Sequence, residues 1–419
     1  MRIQSALGLS VSVMLSCTAE NPAYRGSGEG DMSGTASPGT ATSTTSESTS
    51  GSGSNSNSNP TPSSATHDSD TTPESGTTTG IADTGTEARC WSTSITIVPD
   101  DRIALGQTLA QVPVRVATSR LAPEFNGDSL RFYQDGMLLA HEQEGRFAWV
   151  RVTEILADGS SEIQALMGAA CPNETPLATS SVWSAGYLAV FHFDDDNAPL
   201  TFVDSVHGID LLPDPNTQVG KGKDLLGPYI HKSGDGRLEA TNAMLDLSGD
   251  GPLSTLGWVR LEGGEAGVLE WDGVNARHRE LVAKLPGYRL NAVRGHAGPM
   301  STVAPAPFFN LSLAVPGDLQ DNIFGEDDVP ANDWTMLAGT YDGEQMHLFQ
   351  DGELVASGDT NYTPGPNNTG TIRIGRWLRG GIDEVRISNV ARSPAWLQIQ
   401  YASMMGTLLD YGVPEQLDP

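Results

Sequence analysis

The chain has 419 residues and a mass of 44.3 kDa, enough for two or three domains and too long for one small disulfide-stapled scaffold. Its 24 Lys and Arg stand against 52 Asp and Glu, a net charge of −28, and a field of that sign repels a fixed polyanion, which excludes nucleic acid as a partner. Charged residues are only 18% of the chain while Gly (47) and Pro (26) are frequent, the composition of many turns between short strands in a secreted, mostly β protein.

Met1-Arg2 gives a minimal positive start, and Ile3 to Leu15 is a mostly apolar run stopped by Ser16-Cys17. The run is too short to span a bilayer and has the proportions of a signal-peptide core, so 1–16 is expected to be removed. Leu15-Ser16-Cys17 resembles a bacterial lipobox, which implies lipidation of Cys17, although Leu15 stands where a small residue is usual. The alternative is an ordinary secretory signal with Cys17 incidental. Acyl chains on Cys17 would add about 0.8 kcal/mol per buried CH₂ and anchor the chain without a transmembrane helix; no other stretch is long and apolar enough to span. Residues 17–87 follow as a disordered tether. Between Ser33 and Thr86 Ile81 is the only large aliphatic residue, too little apolar surface to offset ordering entropy, and the coil estimate puts its ends roughly 40 Å apart.

Residues 88–181 read as a small β domain. Ile95 and Ile97, Val112, Val114 and Val116, Leu130 and Phe132, and Trp149-Val150-Arg151-Val152 show the period of half-buried strands. Asn126-Gly127-Asp128 and Asp135-Gly136 supply residues that tolerate positive φ, as hairpin turns require. Cys90 and Cys171 flank the domain. In an exported chain they are expected to form a disulfide worth about 4–5 kcal/mol on the loop-entropy argument, the alternative being two buried thiols. The segments Asn126 to Phe132, Gln134-Asp135-Gly136, Ala148 to Val152, Leu166-Met167-Gly168 and Val182-Trp183 resemble the bacterial domain of unknown function 2341, found on cell-surface proteins; the resemblance brings no chemistry with it.

From 182 to 412 a larger sandwich is expected. Ala189 to Phe193, Leu256 to Val259, Gly287 to Leu290 and Leu311 to Leu313 read as strands, and Asp342-Gly343 and Asp351-Gly352 between alternating runs predict two successive hairpins. Trp334 to Gly343, Leu348 to Gly352, Thr371 to Gly375 and above all Gly381 to Ser388 followed by Ala391-Arg392-Ser393 resemble the laminin-G-like, concanavalin-type jelly-roll family. Ser393 and Pro394 then fit the cap and first position of a short closing helix, with Trp396, Ile399 and Met404 facing the sandwich.

Members of that family commonly bind glycans or proteins, and some hold a structural Ca²⁺. By resemblance such an ion would sit among Asp194 (or its neighbours Asp195 and Asp196), Asp204 and Asp383; on the residues alone these acids also read as solvated turn acids and a strand-start hydrogen-bond acceptor. Trp258, Trp271, Trp334 and Trp377 are candidates to stack on sugars, although aromatics at strand spacing more often lie in a core. Trp377, in a Gly-rich loop beside Arg376 and Arg379, is the expected ligand-binding residue. The sequons at Asn173, Asn310 and Asn361 matter only in a eukaryotic route, and His192 reads as core or edge polar. No Gly-x-Ser-x-Gly, phosphate loop, His-Glu-x-x-His or Glu-x-Asp-x-x-Glu strand is present, so no catalytic residue is assigned. The expectation is an all-β, lipid-anchored bacterial envelope protein at the outer membrane or cell surface, binding an extracellular glycan without catalysis. Protein adhesion or a structural envelope role is the alternative, with polysaccharide hydrolysis as a third.

Overall fold

The computed structural model describes residues 89–100, 103, 105–122, 129–194, 201–224, 228–233, 236–246, 251–262, 279–284, 287–293, 306–312, 320–360 and 370–417. Cys17, the signal segment 1–16 and the tether 17–87 lie outside them, as do Asn126-Gly127-Asp128, Asp195, Asp196, Trp271 and the sequon at Asn361. The described residues are all-β apart from 3-10 turns and one α-helix, Pro394–Met405. No described helix is long and apolar enough to cross a membrane.

Two sheets build the small module. One pairs Cys90–Ile97 with Glu162–Met167, then Arg131–Gln134 and Met137–Leu139; the other is Leu109–Ala117, Phe147–Ile155 and His141–Glu144. Period-two alternation buries Val112, Val114 and Val116 against Phe132, Trp149 and Ile163. Asp135 (φ 51°) and Gly136 (φ 75°) form the hairpin turn expected of them, and Cys90 and Cys171 are joined with their Cα atoms 4.7 Å apart.

The second module is a jelly roll of two eight-stranded sheets. The first runs, in order, Gln320–Phe324, Phe308–Ser312, Tyr288–Val293, Arg279–Lys284, Ile372–Ile374, Leu238–Ala240, Asp210–Pro213 and Phe202–Val203. The second runs Gln218–Lys223, Pro228–Ser233, Gly380–Ser388, Leu253–Leu261, Thr335–Tyr341, Gln345–Gln350 and Glu353–Asp359, with Tyr187–Phe191 also on Gly380–Ser388. Between them lie Phe191, Val259, Leu290, Phe309, Tyr341 and Ile374. Both expected Asp-Gly turns are present: the Asp342 carboxylate accepts the N–H of Glu344 and Gln345, and Asp351-Gly352 takes the two positive φ values of a tight hairpin.

The second sheet is covered on both sides, and Thr335–Tyr341 is buried at every position. On its outer face Leu256, Trp258, Met336 and Ala338 form a second core with Trp396, Leu397, Ile399 and Met404 of the helix and with Val114 and Trp149 of the small module. Ser393 caps the helix through the Trp396 N–H, Pro394 occupies its first turn and Gly406 (φ 70°) ends it. The expected closing helix is therefore also an interface element. Gln400 Nε2 donates to Pro113 O at 2.7 Å, and Ser403 Oγ accepts the Arg115 N–H at 2.7 Å.

Past the helix the chain returns to the first module. Leu409–Tyr411 and Glu415–Leu417 both pair antiparallel with Cys90–Ile97, so Leu409–Tyr411, expected within the 182–412 sandwich, joins the small module's sheet.

Candidate functional site

The first jelly-roll sheet turns Leu238, Ile374, Val282, Leu290, Phe309 and Ile323 into the core, which directs alternate residues to its outer face. Register then assembles a polar row across six strands. Glu239 pairs with Arg373, Arg373 with Ala283, Ala283 with Arg289, Arg289 with Asn310 and Asn310 with Asn322. In the adjacent row Glu280 pairs with Asn291, and the Glu280 N–H donates to Arg376 O. The ion pairs here are long: Glu280 Oε1 stands 3.4 Å from Arg289 Nε and 3.7 Å from Arg376 Nη1, and Glu239 Oε1 stands 3.8 Å from Arg373 Nε. Glu280 and Asn291 are 0% exposed, yet neither carboxylate oxygen and neither amide atom has a hydrogen-bond partner. Leaving such groups buried and unmade among the described residues costs about 1–3 kcal/mol each, and at 0% exposure the two lie beneath the part-exposed Arg289 and Arg373.

The row runs into a cleft of about 440 Å³ lined by Asp214, Asn216, Gly236, Arg237, Arg376, Trp377 and Arg379. Trp377 is half-buried on the turn 375–378, closed by the Leu378 N–H donating to Gly375 O. Gly375 has φ +72°, and a Cβ there would meet Ile382 at 2.6 Å and Lys232 at 2.9 Å. Buried Lys232 fixes the turn from beneath, its Nζ donating to Leu378 O at 3.0 Å. The Arg376 guanidinium lies 3.7 Å from the Trp377 ring centroid, so one ring face is already stacked and a ligand would meet the other face or the edge. Arg237 is held by Glu239 at 2.5 Å and Asp214 at 3.5 Å.

The acids expected around a cation lie elsewhere, at the junction of the modules. Asp194 and Asp204 line a cavity of about 350 Å³ with Glu142 and Glu144 of the small module and with Thr179, His192 and Ser205. Asp204 caps the backbone: Oδ1 accepts the N–H of Val190 and Val206, and Oδ2 that of His207. Asp383 is buried and accepts the Glu384 N–H; burial, with Glu384 and Glu144 nearby, raises its carboxyl pKa well above the ordinary range. Calcium takes six to eight oxygen ligands, whereas both Asp204 oxygens already accept backbone N–H groups. Among the described residues, the three ligand-type side chains whose atoms gather within 4.8 Å are instead Glu144, His192 and Glu384.

Their grouping follows from strand alternation and one bulge. Period-two alternation puts Ala189, Phe191 and Phe193 in the jelly-roll core and turns Val190 and His192 toward the junction. Glu384 (φ 49°) sits in a β-bulge where Gly257 has no single partner, and a Cβ on Gly257 would meet Val385 at 3.0 Å. The bulge re-aims Glu384 at His192 Nδ1, 2.7 Å away, and at Arg386 Nη2, 2.6 Å away. Glu142 stands 3.5 Å from His192 Nε2 and Trp149 Nε1 donates to Glu144 Oε2 at 2.8 Å, while the Arg386 guanidinium lies over Trp149. Although burial opposes charge on His192, Glu384 and Glu142 raise its pKa well above 6.5; burial likewise opposes charge on Glu384, but His192 and Arg386 draw its pKa down. Burial, reinforced by Glu384, pushes Glu144 up to about 7. Two carboxyls with opposed pKa shifts also describe an acid and base pair for glycoside hydrolysis. Here Glu384 is 0% exposed, takes no part in the cavity lining and is closed in a pair with His192 and Arg386, so a sugar has no approach to it.

Of the expected aromatics, Trp258 stacks on Tyr401 in the core, the Trp334 Nε1–H donates to Asp224 at 2.6 Å, and Trp377 lines a cleft. Asn310 of the second sequon is buried in the sheet. Sequence reading missed Arg237, Glu280, Arg289, Asn291 and Arg373, which become neighbours only through register. The one local signal was period-two polar spacing, as in Arg289 and Asn291.

The architecture is that of a lectin-like jelly roll. The profile of the family described as the Concanavalin A-like lectin/glucanases superfamily matches residues 283–398, and no curated protein matches the chain. The chain is similar in structure to the binding domain of Paraclostridial Mosquitocidal Protein 1 (12% identity, TM-score 0.40, covering 52% of each chain). It is also similar to the binding domain of Botulinum Neurotoxin DC in complex with SialylT (13%, TM-score 0.38, 52% of each). A third structure is Domain 4 of AbnA, a GH43 extracellular arabinanase from Geobacillus stearothermophilus, in complex with arabinotriose (15%, TM-score 0.37, 51% of this chain and 97% of that one). The chain thus spans about half the length of the first two. Likenesses at these scores carry no weight here, and the fold assignment rests on strand order and the family match.

Proposed function

We propose that the chain is a non-catalytic binding protein that takes a carbohydrate on the outer face of the first jelly-roll sheet, with Trp377 as the aromatic contact at its end. One observation carries this reading: a row of part-exposed carboxylate and guanidinium groups, Glu239, Arg373 and Arg289, leads into a cleft with a Trp in it. A sugar offers many hydroxyls that both donate and accept, and an apolar ring face that suits an aromatic. Absence of catalysis is part of the proposal and is supported by the closure of Glu384 away from the cavity. So are export, lipidation of Cys17, the 17–87 tether, a cell-surface address and the likeness of the small module to the domain of unknown function 2341, all of which rest on the sequence motifs.

A glycan array probed with the full chain and with Trp377→Ala tests the reading. Binding that drops about tenfold or more in the variant, the scale of a lost aromatic contact in a sugar site, is expected. Silence on every glycan, with capture of a purified surface protein, would favour the adhesion alternative. Turnover of a polysaccharide would overturn the non-catalytic reading.

A further inference from the structure

We propose, resting on the carbohydrate reading above, that the glycan is acidic, its carboxylate or sulfate group held between Arg289, Arg373 and Arg376 beside the Trp377 cleft. The chain as a whole carries −28, with only 24 basic residues in 419. Against that background Arg237, Arg289, Arg373 and Arg376 come together on one sheet face, close enough that, after burial and against the pull of Glu280, repulsion from Arg373, Arg237 and Arg289 lowers the Arg376 pKa while it stays charged. Arg379 lines the same cleft.

Among the described residues, the carboxylates within 4.0 Å of Arg237, Arg289, Arg373 and Arg376 are Asp214, Glu239 and Glu280. Arg237 is the one they satisfy closely; Glu280 and Glu239 stand 3.4 to 3.8 Å from Arg289, Arg376 and Arg373. The Nε–H groups of Arg289 and Arg373 are buried and have no hydrogen-bond acceptor. A guanidinium presents parallel N–H donors that match a carboxylate or sulfate in bidentate fashion, whereas one sugar hydroxyl meets only one of them. The body's negative charge does not cancel this preference. The Debye length is about 8 Å at physiological ionic strength, so a short ligand seated in the cleft senses the arginines beside it, while a long polyanion laid along the surface is repelled.

The test is isothermal calorimetry of the full chain against three oligosaccharides of equal length, one neutral, one carrying uronic acids and one sulfated, with inorganic sulfate as a fourth titrant. At least one acidic oligosaccharide is expected to bind about tenfold or more tighter than the neutral one, the scale of a charge-assisted hydrogen bond, and to lose that advantage as NaCl rises. The uronate and sulfated arms identify which anion is used. Arg373→Gln, whose side chain is part-exposed, is expected to bring the acidic-to-neutral ratio close to one, and Arg376→Gln repeats the test should the first variant fail to fold. Equal affinity for neutral and acidic sugars, an unchanged ratio in both variants, or inorganic sulfate binding as tightly as the glycan would overturn the inference and leave the carbohydrate reading standing. No binding of any oligosaccharide would remove both.

Discussion

His192 is charged inside the protein because two carboxylates reach it, and this makes the junction pH-sensitive in a calculable direction. Its pKa is raised above 6.5, so the stability it contributes is fully present below 6.5 and is lost as pH rises through the folded value. Glu142 and Glu384 are lowered from 4.5 despite burial, so their contribution is present above 4.5 and is lost as pH falls. Glu144 runs the other way: the fold favours its neutral form, and stability declines as pH rises from 4.5 to about 7. Thermal melts are therefore expected to be highest between about pH 4.5 and 6.5 and to fall toward pH 8, with Glu144→Gln removing the decline that ends near pH 7. A melting temperature rising steadily from pH 5 to 8, or an unaltered slope in the variant, would contradict this. The same geometry bears on calcium. With Asp204 turned to backbone N–H groups and Asp383 accepting the Glu384 N–H, melting in chelator and in millimolar calcium should coincide; a rise of several degrees with calcium would place the cation among these acids.

The elements show how much the sequence could convey. Hairpins at Asp342-Gly343 and Asp351-Gly352 and the helix start at Ser393-Pro394 were legible because each is written in adjacent residues. The return of Leu409–Tyr411 to Ile95–Ile97 was not, since nothing local encodes a pairing across more than three hundred residues. The polar row was hidden for the same reason: Arg289, Arg373 and Glu239 are ordinary strand residues until register aligns them. The three N–H groups that Asp204 caps were not legible, because a carboxylate that caps backbone and one that ligates a cation look alike in sequence. The helix gives a test at this scale. A fragment of residues 182–412 alone would expose Leu256, Trp258, Met336 and the small-module side of the helix, and it is expected to aggregate on size exclusion. A monodisperse fragment with a cooperative melt would show that the small module is dispensable.

Across the whole molecule, the two jelly-roll sheets have different outer faces. One is closed by the helix and the small module, with Trp149, Trp258 and Trp396 in a shared core and the His192–Glu384–Arg386 cluster beside it. The other carries guanidinium, amide and carboxylate groups whose pairing is incomplete and which meet the Trp377 cleft. Packing thus accounts for the first face, and the part-exposed arginines of the second are the groups proposed to meet a ligand. Amide hydrogen exchange of the full chain with and without a bound oligosaccharide compares the two faces directly. The account predicts slowed exchange at Arg237 to Glu239, Arg289 to Asn291 and Arg373 to Trp377, with the helix Pro394–Met405 unchanged; protection confined to the helix or to the Glu142–His192 junction would contradict it.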